Sequence, residues 1–195
     1  HLERLKSKLK KAEKSAWESA LALRENRKNT AIGLAERILT ELAQLDMPRV
    51  QFICNFTNED LGATGADAVA FYMSANAGEA MKPLSKVASG GELSRIMLSL
   101  KNVIAEGDRV GTLIFDEMDT GVSGRAAQKI GRKLKQASGG RQIICVTHSA
   151  QIASLADAHY VIEKRESDGR AETSVKLLSD EERVDEVARI LGGID

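Results

Sequence analysis

Two short runs, Thr112-Leu113-Ile114-Phe115 and Gln142-Ile143-Ile144-Cys145-Val146, are apolar almost without a break. A strand with one wet face alternates apolar and polar residues. A strand covered on both faces does not, and that is the habit of parallel sheets. Between the runs, residues 126–137 carry helical spacing. Strand, helix and strand of these lengths predict a βαβ unit, and with it an α/β fold.

The rest of the chain must fit around that unit. Residues 1–46 contain no proline and are rich in Lys, Glu, Ala, Leu and Arg. Leu2, Leu5, Leu9, Ala12 and Ala16 step by three and four, as the seam of a coiled coil does. The phase then weakens, and Leu34, Ile38, Leu42 and Leu45 resume an apolar stripe up to Met47-Pro48. This predicts a helical segment over 1–46, with a coiled-coil stump over about 1–25 and core packing over 30–46; residues 47–195 form the second domain. A bundle helix packed on its own domain explains the first stretch equally well. Residues 50–56 and 68–73 read as the strands of a hairpin, with the polar, Gly-containing stretch 58–67 as its turn. Helical spacing follows over 93–105. Residues 158–164 and 173–178 read as a last hairpin around Asp168-Gly169, and 180–191 as a closing helix stopped by Gly192-Gly193.

The totals exclude several classes. With 28 basic and 28 acidic residues the chain has no net charge to recommend it as a dedicated nucleic-acid binder. The densest basic run, Lys6, Lys8, Lys10 and Lys11, is better explained as a solvated helix face. No apolar run approaches the roughly 20 residues of a membrane helix, and no signal peptide opens the chain. The two cysteines, Cys54 and Cys145, lie in apolar runs without metal-ligand spacing, which predicts reduced thiols in the core of a cytoplasmic protein. The chain opens on His1 rather than methionine, and reads as a piece cut from something longer.

Chemistry gathers at the ends of the apolar strands, where open α/β sheets bind ligands. The first strand closes on Asp116-Glu117. Asp116 suits a magnesium ion, which takes oxygen ligands and keeps several waters. Glu117 suits the orientation and deprotonation of a water, as at the end of a Walker B strand. Taken alone, two surface acids explain the pair as well. The second strand closes on Thr147-His148, and His148 would point into the crevice of Glu117 and donate to a phosphate oxygen. A capping or core histidine is the plainer alternative, and His159 is taken as structural. Asp119-Thr120-Gly121-Val122-Ser123-Gly124 forms a polar loop beside the acids. Upstream, Val87-Ala88-Ser89-Gly90-Gly91-Glu92-Leu93-Ser94-Arg95 places two glycines at a helix start. Unpaired N–H groups and the helix dipole make such a start an anion site, glycine lets a phosphate approach, and Ser89 adds a donor. An N-cap and tight turn, with Glu92 favoured by the dipole, explains the same residues.

Their order along the chain resembles the head domains of ATP-binding-cassette proteins, and among these the SMC-like branch. Ser89 to Glu92 resembles the signature motif, Thr112 to Glu117 a Walker B strand with its catalytic glutamate, Asp119 the D-loop aspartate and His148 the switch histidine. Glu92, where transporters carry Gln, favours the SMC-like branch. The strings "SANAGEAMKPLSKVASGGELSR", "FDEMDTGVSG", "VTHSAQIASLADAHYVIEK" and "EVARILGG" narrow the resemblance to the C-terminal part of the RecN family of bacterial double-strand-break repair ATPases, over about residues 45–193.

The resemblance implies two heads closing around two ATP molecules. Ser89, Gly90, Gly91 and Glu92 would then act on the partner head's nucleotide, Asp116, Glu117 and His148 on their own, and Asp119 along the seam. It implies ATP and Mg²⁺ as cofactors, DNA as a partner of the whole protein, and no membrane. No Gly-Lys pair occurs in the chain, so a Walker A loop is missing. The chain is therefore expected to be the C-terminal half of a head, a mixed sheet with flanking helices, needing an N-terminal half and inactive alone. A half-sheet with bare edges is expected to self-associate. Another SMC-like chromosome-structuring ATPase would share the four motifs. A non-catalytic, degenerate cassette acting as an interaction module would be expected to lose its base, and Glu117 is present.

Overall fold

The computed structural model describes residues 1–76, 78–86, 90–107, 109–167 and 170–192. They gather in two compact units, His1–Ala88 and Ser89–Asp195.

The first unit is built on one helix, α1 (Leu2–Gln44), which runs without interruption through both stretches anticipated from the sequence. Lys, Glu, Ala, Leu and Arg are good helix formers, and nothing before Pro48 forbids continuation. Its two halves live differently. Ile38 and Leu42 are wholly buried, as is Leu45 at its C-terminal cap, while Leu2, Leu5 and Leu9 are exposed. The helix stops by a Schellman motif: Asp46 takes a left-handed φ of 65°, and the Met47 N–H donates to the Leu42 carbonyl at 3.0 Å.

Antiparallel strands β1 (Gln51–Gly62) and β2 (Gly65–Ser74) pack on α1, and the two-residue β3 (Lys82–Pro83) pairs with β2. The stretch 58–67, expected to be a turn, is mostly strand: Asn58 pairs with Asp67, and the chain reverses between Gly62 and Gly65. Polar residues hold a strand here because α1 supplies their partners. The Asp67 carboxylate accepts from Arg27 Nη1 at 3.0 Å and lies 3.6 Å from Arg24 Nε. Arg24 Nη2 donates to Asn58 Oδ1 at 2.6 Å and to the Ala66 carbonyl at 3.2 Å.

The second unit holds the predicted βαβ element. Strand β4 (Thr112–Asp116) and β5 (Gln142–Val146) are parallel, with Asp116 level with Val146, and α3 (Gly124–Ala137) connects them. Before them stands α2 (Gly90–Val103), which packs on β4 and starts at Gly90, so both glycines lie inside its first turn. The short α4 (Ala150–Ala153) follows β5. Strands β6 (Tyr160–Ser167) and β7 (Arg170–Leu177) form an antiparallel hairpin, and α5 (Asp180–Gly192) closes the described chain. His159 precedes β6 rather than lying in it. The anticipated turn at Asp168-Gly169 and the stop at Gly193 lie outside the described residues.

The expectation that both faces of β4 and β5 are covered is also corrected. β4 and β5 are covered on one face only: Leu113 and Phe115 are buried, whereas Ile114 is 70% exposed and Val146 half exposed. Alternate side chains of a strand point to opposite faces, and among the described residues Ile114, Ile144 and Val146 are left exposed on the second face. Cross-strand neighbours Tyr160, Leu177, Ile162 and Val175 are likewise exposed on one face of the last hairpin. Among the described residues no helix is long and apolar enough to cross a membrane.

The contrast within α1 predicts opposite outcomes for one type of substitution. Leu42→Ala should lower the unfolding free energy by about 2–5 kcal/mol, since it empties a closed site. Leu5→Ala should change it by less than about 0.5 kcal/mol. Chemical denaturation of the two variants checks this, and equal losses would contradict the packing described.

Candidate functional site

Asp116 and Glu117 stand where β4 ends, and Thr147 and His148 where β5 ends. Because the strands are neighbours in register, both pairs emerge at one end of the sheet. Asp116 and Glu117 are both exposed. Glu117 has a left-handed φ of 55°, a conformation that costs a side-chain-bearing residue energy and is held by its surroundings.

Those surroundings explain the two glycines. A Cβ placed on Gly90 would lie 2.9 Å from Glu117 Oε2, and one on Gly91 would lie 2.8 Å from the Glu117 carbonyl oxygen and 3.1 Å from that of Thr120. So something does come close to the backbone at this helix start. In this chain it is the Glu117 loop, with its carboxylate over the positive end of α2, where an anion is favoured. The next turn of α2 is bonded to the same loop. Ser94 Oγ donates to the Asp116 carbonyl at 2.8 Å, and the buried Arg95 donates from Nη1 to the carbonyls of Met118 at 3.1 Å and Thr120 at 3.4 Å. Ser89 lies outside the described residues.

On its other side the loop is tied to the end of β5. The Asp119 side chain is only 3% exposed. Its Oδ2 accepts from Thr147 Oγ1 at 2.7 Å and from the His148 N–H at 3.1 Å. Thr147 Oγ1 in turn accepts from the Ser149 N–H at 3.0 Å. The His148 ring is 81% exposed, with Nδ1 3.6 Å from Asp119 Oδ2, too long for a hydrogen bond. The expected crevice thus resolves into two parts: the Glu117 carboxylate lies over Gly90, and the near neighbour of His148 is Asp119. Ser123, in the same loop, is the N-cap of α3 and accepts from the Ala126 N–H at 3.4 Å.

Among the described residues no group of three His, Cys, Asp or Glu side chains is arranged to cage a metal. Magnesium does not require one, since it commonly uses one or two carboxylates with phosphate oxygens and water. The exposed carboxylate of Asp116 fits that partial role. The cysteines are half-buried rather than core residues. Burial pushes the Cys145 thiol up to about 12, and the charges of Asp119 and Asp116 push the same way. Burial also raises Cys54.

The sequence pointed to Asp116, Glu117, Asp119 and His148. It missed Ser94, Arg95 and Thr147, which join them. Ser94 and Arg95 fall three and four residues after Gly91, so they share its helix face, and that spacing was the available signal.

Two consequences are measurable. Gly91→Ala should destabilise the chain by about 1–3 kcal/mol, because the loop backbone has no room to yield; an unchanged melting temperature would contradict the packing. At pH 9, Cys145 should react with iodoacetamide roughly two to three orders of magnitude more slowly than a free thiol, in proportion to its thiolate. The folded thiol titrates above the ordinary 9.0, so the unfolded chain ionises first. Its contribution to stability is complete below pH 9 and lost as pH rises toward 12.

No protein-family profile matches this chain. It is 46% identical over 179 residues to the DNA repair protein RecN of Halalkalibacterium halodurans, covering 89% of this chain and 32% of that protein. It is 42% identical over 211 residues to RecN of Bacillus subtilis, covering 100% of this chain and 37% of that one. The chain thus spans about a third of the length of the curated relatives it matches. In fold it is similar to the Smc head domain with a coiled coil and joint from Pyrococcus yayanosii, with a TM-score of 0.60 at 21% identity over 96% of this chain and 35% of that one. It is also similar to a chain described under the structural biochemistry of ATP-driven dimerization and DNA-stimulated activation of SMC ATPases. There the TM-score is 0.52 at 20% identity, covering 87% of this chain and 96% of that one. In sequence this chain corresponds to the C-terminal part of RecN, and its fold is that of an SMC head domain.

Proposed function

We propose that this chain supplies the hydrolytic side chains of an ATPase head in a RecN-type DNA repair protein. The observation that carries the reading is the convergence of three features at one end of the β4–β5 pair: the Asp116-Glu117 strand end, the Thr147-His148 strand end, and the glycine-led start of α2. The relatives named for DNA repair give the site its setting.

In this reading Asp116 holds magnesium, which neutralises phosphate charge when bound. Glu117 accepts the proton of the attacking water, and its exposed carboxylate at a strand end suits that role. His148 offers a ring N–H to a phosphate oxygen, and its exposed ring can reach outward while its backbone is held by Asp119. Ser89, Gly90, Gly91 and Glu92 present the start of α2 to the nucleotide of a second head. Asp119 and its loop lie along the seam of that homodimer.

The phosphate cradle comes from an N-terminal half-head, since the chain has no Gly-Lys pair. The exposed half of α1 continues into the coiled-coil arm, and the bare faces of β4–β5 and β6–β7 are where missing strands or another copy would pack. The whole protein works on broken DNA in the bacterial cytoplasm, at the nucleoid.

In the full-length protein, Glu117→Gln should leave ATP binding intact and lower turnover by about 10²- to 10⁴-fold, the scale of a positioned base. Steady-state phosphate release with a separate binding titration checks this. Turnover within a factor of about two of the parent would favour the non-catalytic interaction module.

A further inference from the structure

Between the glycine pair and the body of α2 sits a residue that the hydrolytic reading does not use. Arg95 is buried at 6% exposure. Removing a guanidinium from water is costly, and an apolar side chain would fill the same space more cheaply. Its placement is specific. The two carbonyls that accept from Nη1, Met118 and Thr120, flank Asp119. With the backbone on either side of Asp119 bonded toward α2, the Asp119 carboxylate reaches the opposite way, to Thr147 Oγ1 and the His148 N–H. One position earlier, Ser94 holds the Asp116 carbonyl, and one turn back Gly91 admits the loop backbone without a side chain between. The same face of one helix thus fixes residues 116, 118 and 120, and through 119 it fixes 147 and 148.

We infer that Arg95 is a positioning residue: it sets the backbone of the Glu117–Thr120 loop and, through Asp119, the backbone of His148, so that base and histidine move with the glycine-led helix. Its consequence for catalysis rests on the ATPase reading above; the coupling itself does not. Any displacement of the start of α2 is carried to both side chains through two carbonyl bonds and one carboxylate. A lysine cannot replace it fully, because an ammonium is a point donor and lacks the planar fork of a guanidinium.

The test compares Arg95→Met and Arg95→Lys with the parent in the full-length protein by hydrogen–deuterium exchange without nucleotide. The reporters are the Thr120 amide, bonded to the Glu117 carbonyl, and the His148 amide, bonded to Asp119. Arg95→Met should speed exchange at both by about tenfold or more while the β1–β2 hairpin stays protected, and Arg95→Lys should restore part of the protection. Turnover of Arg95→Met should fall roughly 10- to 100-fold with KM within about twofold, as expected of misplaced groups that still bind substrate. Unchanged exchange at Thr120 and His148 overturns the inference. So does faster exchange at Thr120 alone, which would make Arg95 a local packing residue. If Arg95→Met does not fold, Arg95→Lys carries the same comparison. If Glu117→Gln keeps full turnover while Arg95→Met still deprotects both amides, the coupling stands and the assignment of the base falls.

Discussion

The arrangement depends on the carboxylate of Asp119. It is almost fully withdrawn from water, and it accepts at one oxygen from both a threonine hydroxyl and a backbone N–H of the next strand's end. Such charge-assisted bonds in a dry setting are stronger than neutral ones. They also carry a penalty if broken, because a buried carboxylate without donors is costly. The loops after β4 and β5 are therefore held at one spacing. The acid pair Asp116-Glu117 and His148 stand where those two loops begin.

The glycines fit the same scheme. A helix start with two glycines can serve an incoming phosphate or an incoming loop, and the sequence alone left both open. In the fold it is the loop, with the Glu117 backbone against Gly91 and its carboxylate over Gly90.

How far the fold was legible follows from what each signal measures. Apolar runs of β4 and β5 report hydrophobic faces, and they located a parallel pair correctly. They could not report that only one face is covered here, because Ile114 and Val146 are apolar whichever way the second face is used. The stripe of Ile38, Leu42 and Leu45 marked the packed end of α1, and the helix did not break where the phase weakened, since helix formers without proline need no stripe to continue. The stretch 58–67 was misread because polar residues near glycine look like a turn. Arg24 and Arg27, forty residues upstream of Asp67 in the case of Arg27, were needed to see a strand. Candidate side chains were legible where the residue type suggests a chemistry, as in Asp116, Glu117 and His148, and the structure brings these to one end of the β4–β5 pair. The site was not legible where an ordinary Ser or Arg acts by holding a carbonyl, or a Thr by holding a carboxylate, since that role exists only in three dimensions.

In the proposed function, this chain carries the reacting side chains of a nucleotide site and not its phosphate cradle. The most direct measurement is a calorimetric titration of Mg-ATP into the 195-residue chain by itself. No detectable heat of binding up to about millimolar ATP is the predicted result, because the start of α2 and one exposed aspartate give too few phosphate contacts to hold it. Stoichiometric binding in the micromolar range would contradict the account and require a complete nucleotide site within these residues.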